Sequence, residues 1–444
     1  MKVLIRQALS LALPVIFSYL SVAVYLNLDY AMVGQLGNKA MAAVGLSSWV
    51  FLILFLTFNA LEVGVQVMVA RLVGEKDYRG AGRVFSSALT VALGLGSMFT
   101  VLVMIFADWC VVASPEIRAM GAGFLRWRMA GFVMVMAMFA MTGFFNGIGK
   151  PVLPMAAQVT GNLINLFFNW LLIYGNWGFP AMGVRGAGLA STIGVTAGCL
   201  IMIGGLMRGK YRARFGYSVL QPPDRPILCR LVNIGYPIAL QALLINGGFL
   251  VFLYINKSIS LTAVSITQTV IYITTLSFLP VVGIGVAAAT MVGQYLGALS
   301  PGRALRSGWI AVVMGSVTMI AFSLVYFLFG ESILHWYIED DAEVTREFVE
   351  MGIIVLRIVA VFQIFDAVGV VMGRVLQSAG YAKFVMVSEV SLFWLVFLPA
   401  AYINGIVLEH GVIGTWSAFV LYLMSYATVM LIKYVRGGWV HGRL

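Results

Sequence analysis

Charge is scarce in this chain of 444 residues: Asp, Glu, Lys and Arg together make up 10%, against about a quarter in ordinary soluble domains. Histidine and cysteine are scarcer still, with three of each. Cys110, Cys199 and Cys229 form no CxxC pair and supply no disulfide framework. His335, His410 and His441 stand apart, with no i,i+4 pair, so no metal-ligand spacing exists. No GxSxG, histidine pair or paired-aspartate motif is present, which argues against an intramembrane enzyme. No cofactor is expected. What fills the chain instead is apolar: 61% of residues are hydrophobic, arranged in repeated runs longer than about 18 residues. Water-soluble function is excluded. The chain reads as an all-α polytopic protein whose solvent is the lipid bilayer. The net charge of +11 is then a matter of topology, and no nucleic-acid partner is expected.

Twelve apolar spans are expected, near residues 8–33, 44–70, 83–107, 123–147, 152–174, 186–207, 231–256, 266–293, 307–329, 351–376, 382–404 and 412–435. The first could pass for a signal peptide, with Lys2 and Arg6 ahead of an apolar run. That run continues to Val33, too long for such a segment, and reads as a spanning helix. Residues 208–230 form the longest polar stretch, basic and holding Pro222, Pro223 and Pro226. They read as a linker between an N-terminal lobe, 1–207, and a C-terminal lobe, 231–444, with a short basic tail. One face of the membrane collects 20 of the 28 Lys and Arg. The other carries the acidic run Glu339, Asp340, Asp341 and Glu343. The positive-inside rule places both termini in the cytoplasm and the protein in the inner membrane.

The halves repeat at a near-constant offset of about 223 residues. Pro14 in LALPVIFSYL matches Pro237 in IGYPIALQAL. Gly74, Ala81 and Arg83 match Gly297, Ala304 and Arg306. GVRG at 183–186 recurs as GVIG at 411–414. Six spans per half return the chain to its starting face. The expectation is a parallel repeat of two pseudo-symmetric six-helix lobes around a central cavity, an architecture typical of alternating-access transporters.

Four acids fall inside spans: Asp29, Glu62, Asp366 and Glu389. Each costs about 2.5–3.5 kcal/mol on insertion scales, so each needs a reason to be there. Asp29 follows Ser18, Val22 and Tyr25 on one face of the first span. The fifth span carries Gln158, Asn162, Asn165 and Asn169, spaced 4, 3 and 4 apart, an unbroken polar stripe. Asn169 matches Asp29 in depth. The two stripes are expected to face each other, with amides donating to the carboxylate. Asp366 sits mid-span on a face with Gln363, Gly369, Gly373 and Gln377, where the glycines admit a close neighbour. Glu62, beside Asn59 and Gln66 in the inner half of its span, is left between lining an inner vestibule and snorkelling or solvation from the cytoplasm. Glu389 lies near the cytoplasmic end of its span, where snorkelling or solvation is the simpler reading, and Arg126, Arg128 and Arg357 lie near outer helix ends, where snorkelling or an ion pair is. Individual Phe, Tyr and Met residues read as packing or lipid contacts.

Four stretches carry a family resemblance. LDYAMVGQLGNKAMAAVGL (28–46) resembles the first-helix signature of the multidrug and toxic compound extrusion (MATE) family, an acid followed by V-G-x-L-G and A-A-V-G-L. VQVMVARLVGEKDYRGAGR (65–83), GNLINLFFNWLLIYGNWGFPAMGVRGAGLAS (161–191) and FQIFDAVGVVMGRVLQSAG (362–380) fit later segments of the same family. The resemblance implies twelve helices in two lobes and export of organic cations or other toxic compounds against inward H+ or Na+. By motif position it makes Asp29 and Asp366 the two coupling acids, with Asn165 the fifth-helix amide. Two positions depart from the pattern. Asn169 stands where one branch has Asp, and PIALQALLINGG (237–248) offers Gln241 and Asn246 where another has Glu.

The resulting expectation is antiport by a monomer. Asp29, Asn165, Asn169 and Asp366 handle the coupling cation. Tyr25, Gln158, Asn162, Glu62, Gln363 and Asn246 line the path of an amphiphilic or cationic cargo. H+ is slightly favoured over Na+, because a carboxyl without a fixed cation is most cheaply held neutral away from water. Na+ at Asp29 or Asp366 is the alternative. A flippase for lipid-linked cargo is the competing reading on the same fold, and it would need a strongly cationic cavity.

Overall fold

A computed structural model describes residues 1–218, 222–336 and 342–441. Glu339, Asp340, Asp341 and Arg443 lie outside the described residues, as do the side chains of Glu343 and His441. Among the described residues the chain is helical, with no strand. The helices are α1 Lys2–Gly34, α2 Asn38–Gly74, α3 Tyr78–Cys110, α4 Pro115–Ala130, α5 Phe132–Gly147, α6 Val152–Tyr174, α7 Val184–Met207, α8 Gly209–Phe215, α9 Arg225–Ile259, α10 Leu261–Gly297, α11 Pro301–His335, α12 Ala342–Ser378, α13 Ala382–Leu392, α14 Leu398–Tyr402 and α15 Gly411–Val435. Eleven spans are each long and apolar enough to cross a membrane, the stretch Ala382–Val407 counting as one; they become twelve when the bent pair α4–α5 is taken as a further span. Large apolar side chains such as Phe327, Leu328 and Leu395 stand exposed on these helices. That surface is tolerable in lipid and would be a liability in water.

The fourth span, expected as one helix over 123–147, is bent by 43° between α4 and α5. The cause is local. Thr192 of α7 donates its hydroxyl to Trp127 O at 2.6 Å. The amide of Gly131 then reaches Arg128 O instead, at 3.3 Å. A side chain inserted into the helical ladder is a recognised source of a kink. Gly131 is required there, since a Cβ would lie 2.8 Å from Thr192 Oγ1.

The linker is shorter than its composition suggests. α8 occupies 209–215, and α9 already begins at Arg225, with Pro226 in its first turn, where a missing N–H costs nothing.

Backbone contacts divide the chain into two compact units. One comprises Met1–Ile16, Leu240–Val292 and Ser300–Leu444; the other comprises Phe17–Ala239 and Gly293–Leu299. α1 and α9 each pass from one unit to the other just after an internal proline, Pro14 or Pro237. Proline removes a ladder hydrogen bond, so each crossing falls at a weak point of its helix.

The repeat is visible in the backbone. Gly183 and Gly411 take φ of 55° and 59°, the left-handed region that glycine enters freely. Within the second unit, a Cβ on Gly74 would lie 2.0 Å from Gln294 O, and one on Gly297 would lie 2.0 Å from Arg71 O. Arg71 and Gln294 are themselves repeat equivalents, so the same patch from each half meets itself reciprocally, as at a two-fold axis.

Candidate functional site

The polar stripes of α1 and α6 meet inside the second unit. Asn169 Nδ2 donates to Asp29 Oδ1 at 2.5 Å and is 3.1 Å from Asn165 Oδ1. Asn165 Nδ2 donates to Ser191 Oγ of α7 at 3.1 Å. Lower on the stripe, Gln158 Nε2 donates to Asn162 Oδ1 at 2.9 Å. Asn162 Nδ2 in turn donates to Ser21 Oγ at 3.0 Å. On α1 these contacts involve Ser21 and Asp29. Asp29, Asn162, Asn165 and Asn169 are all buried. Their approach to α7 depends on glycine: a Cβ on Gly194 would lie 2.7 Å from Asn165 Cβ, and one on Gly161 would lie 2.8 Å from Gly194 O. Small residues facing each other let two membrane helices close up. Beyond Asp29, Val33, Val44, Phe124, Ile173 and Val184 pack into an apolar plug.

Sequence reasoning missed Arg128. It does not snorkel to a helix end. Nη1 donates to Ser191 Oγ at 3.0 Å, and Nη2 reaches Tyr25 OH at 3.5 Å. The guanidinium carbon stands 4.2 Å over the Phe51 ring. Arg128 acts electrostatically on Asp29. The hydrogen bonds run from Asp29 through Asn169, Asn165, Ser191 and Arg128 to Tyr25, and the turn of α1 between Tyr25 and Asp29 completes a ring through α1, α6, α7 and α4. The bend at Gly131 starts three residues after Arg128. The only sequence signal was a glycine inside an apolar run, which by itself names no direction. Arg126, two residues earlier, does pair at the surface, with Asp108 at 2.5 Å.

The first unit holds the other acids. Gln363 Nε2 donates to Ser277 Oγ at 3.0 Å, tying α12 to α10. Glu389 of α13 is not left to solvent. It is half-buried and accepts a hydrogen bond from Gln241 Nε2, with Tyr426 and Asp366 near it. Gln377 Nε2 extends the chain to Gln241 Oε1 at 3.1 Å. The glycine face of Asp366 is filled by α15: Cβ atoms on Gly369 and Gly373 would lie 2.7 and 2.8 Å from the Tyr426 side chain. Asn246 is exposed and donates to its own helix at Ala242 O, so the α9 side chain that reaches the acids is Gln241. Glu62 accepts from Asn59 Nδ2 at 3.2 Å, one turn away on α2.

Known proteins place this arrangement. A sequence profile described as MatE matches residues 14–171 and 237–403, the greater part of both halves. The chain belongs to the MatE family. Among relatives, the probable multidrug resistance protein NorM of Thermotoga maritima is 26% identical over 98% of this chain and 93% of its own length. The protein of the same name from Pseudomonas aeruginosa is 27% identical over 93% of this chain and 85% of its own length. In fold, the chain matches a multidrug resistance MATE family transporter of the MOP superfamily, seen outward-facing. The TM-score is 0.90 at 21% identity, covering 98% of this chain and 96% of the other.

For a MatE-family chain, the two motif acids sit in separate polar clusters, one in each unit. Asp29 has a fixed positive neighbour in Arg128. Asp366 has a second acid, Glu389, and a tyrosine pair, Tyr422 and Tyr426, stacked at 6.2 Å. The argument for H+ rested on a carboxylate lacking any fixed cation, and at Asp29 that premise does not hold.

Proposed function

We propose that this chain exports organic cations or other amphiphilic toxic compounds across the inner membrane, as a monomer, in exchange for inward-moving H+ or Na+. Membership of the MatE family and relatives named as multidrug resistance proteins support the cargo class. The observation that carries the coupling step is the buried Asp29–Asn169 contact, set in a ring that also holds Arg128. A carboxylate with an amide on one side and a guanidinium within electrostatic range can change partners without being abandoned in hydrocarbon. In the outward-facing state a cation reaches Asp29, the ring with Asn165 and Asn169 loosens, α1 bends near Pro14 and cargo leaves. Asp366 provides a second cation site. Tyr25, Gln158, Asn162, Glu62, Gln363 and Asn246 contribute polar contacts along the cargo path. The basic bias of one set of loops supports cytoplasmic termini.

The test is export of tetraphenylphosphonium from proteoliposomes under a pH gradient and a Na+ gradient imposed separately, for wild type and Asp29→Asn. Export driven by one gradient only, and lost in the variant, names the ion and supports the reading. Wild-type coupling in Asp29→Asn makes Asp29 a structural clamp. If no organic cation moves under either gradient, the cargo class is wrong, and transbilayer movement of a lipid-linked substrate becomes the next assay.

A further inference from the structure

The basic stretch after α7 is fixed in place, although joining two halves of a chain needs only length. α8 turns Tyr211 and Phe215 toward the bundle and leaves Lys210, Arg212 and Arg214 exposed. Tyr211 meets Phe145 of α5 with ring centres 5.6 Å apart. Phe215 meets Tyr78 of α3 at 5.8 Å and Phe144 of α5 at 5.2 Å. These are edge-on pairs, the arrangement that aromatic rings favour. A Cβ on Gly82 would run into Phe215 O, so α3 admits this backbone only because that position has no side chain. Gly216, at φ 63°, ends α8, and Tyr217 then donates its hydroxyl back to Leu206 O at 2.5 Å. Beyond the turn, the amides of Ser218 and Asp224 donate to the hydroxyls of Ser86 and Ser87 of α3, at 3.1 and 3.2 Å.

The charge held there is one-sided. Residues 208–230 carry Arg208, Lys210, Arg212, Arg214, Arg225 and Arg230, all exposed, against one acid, Asp224. Among the described residues none of these six makes an ion pair. Arg214 is further held over the Tyr78 ring, its guanidinium carbon 4.1 Å from the centroid. Setting topology requires a count of charges near a helix end, not their fixed placement. An apolar track leads into the same cluster. Leu200, Ile203, Gly204 and Met207 stand exposed on α7 at i, i+3, i+4 and i+7, opposite the buried Gly198, Met202, Gly205 and Leu206. A Cβ on Gly204 would meet nothing within 4 Å, so the track is open at that point. The start of α6 flanks it: the Leu153 side chain covers Gly205, with Val152 and Lys150 exposed just before it.

We infer that this face is a binding site for an anionic phospholipid. Its phosphate sits against Arg208 and Lys210 with Lys150 at the flank, and an acyl chain lies along Leu200, Ile203, Gly204 and Met207. Clusters of Lys and Arg at the end of a membrane helix attract anionic headgroups. A zwitterionic lipid brings its own ammonium beside the phosphate and is disfavoured by the same cluster. The site lies apart from the Asp29 ring and from the residues of the cargo path, so it stands or falls independently of the export reading.

The test titrates the purified full-length protein in detergent with phosphatidylglycerol and, separately, with phosphatidylcholine of the same chains. Lipids bound per protein are counted by native mass spectrometry. The variants are Arg208→Gln with Lys210→Gln, and Arg303→Gln with Arg306→Gln, which removes two exposed cations from a different loop. Wild type is expected to hold one phosphatidylglycerol more tightly than phosphatidylcholine. Each cation at an anionic headgroup contributes about fivefold, so the first variant should bind phosphatidylglycerol roughly thirtyfold more weakly and the second should match wild type. Arg208→Lys with Lys210→Arg keeps both charges and should keep the lipid, which separates loss of charge from loss of fold. Glycerol 3-phosphate, which has the phosphate but no acyl chain, should not displace the lipid. The inference is overturned if the two lipids bind equally, if Arg208→Gln with Lys210→Gln retains wild-type affinity, or if the Arg303 and Arg306 variant loses as much. It is equally overturned if the charge-keeping variant fails as completely as the neutral one, or if glycerol 3-phosphate displaces the lipid, which would make the site one for free phosphate.

Discussion

Replacing Arg128 with glutamine removes a fixed positive charge near Asp29 while keeping a polar side chain of similar reach. Arg128 touches Tyr25 OH at 3.5 Å, and Tyr25 lies one helical turn before Asp29. That puts the guanidinium at roughly 8 Å from the carboxylate, given the usual spacing of side chains a turn apart. A positive cargo occupying the Asp29 site would feel the arginine at a comparable distance. At an effective dielectric of about 20, two unit charges so separated interact by about 2 kcal/mol. Relieving that repulsion should tighten binding of a monovalent organic cation by about thirtyfold. The assay is equilibrium binding of tetraphenylphosphonium to purified protein at low ionic strength, because salt screens the effect. Alkaline pH keeps protons from competing. Arg128→Lys preserves the charge but loses the forked geometry, and should bind close to wild type. If Arg128→Gln unfolds at a similar temperature yet binds the cation no more tightly, Arg128 does not oppose charge at Asp29 and the electrostatic reading of the ring is wrong.

Other consequences can be measured on the same preparations. Asn169→Leu strips Asp29 of its amide and Asn165 Oδ1 of its donor, which should cost about 1–3 kcal/mol of stability. Thermal unfolding in detergent reads it, and in the Asp29→Asn background the further loss should be smaller than in wild type. Gly74→Ala and Gly297→Ala each force a Cβ to 2.0 Å from a backbone oxygen. They should destabilise by similar amounts, about 1–3 kcal/mol, while Gly302→Ala, with open space around it, serves as the neutral control; markedly unequal losses would argue against the two-fold contact. Export of a monovalent cation against one coupling cation moves no net charge. Clamping the membrane potential with valinomycin and K+ should then leave its rate unchanged, and a clear dependence would mean that a second charge crosses.

Local spacing made half of the site readable. The fifth-span stripe shows itself because amides every three or four residues have no other use on an apolar helix, and its depth could be matched to Asp29 by counting residues. The repeat was readable for a similar reason: glycines and prolines mark backbone needs that both halves share, as Gly183 and Gly411 do. Arg128 and Glu389 were not readable, because what recruits each is distant in the chain. The turn of α4 that carries Arg128 is set by the hydroxyl of Thr192, some sixty residues on. Glu389 is drawn in by Gln241, at a separation of 148 residues, on a span whose π turns shift the helical phase. Hydropathy assumes straight, regular helices, and both residues sit where that assumption fails.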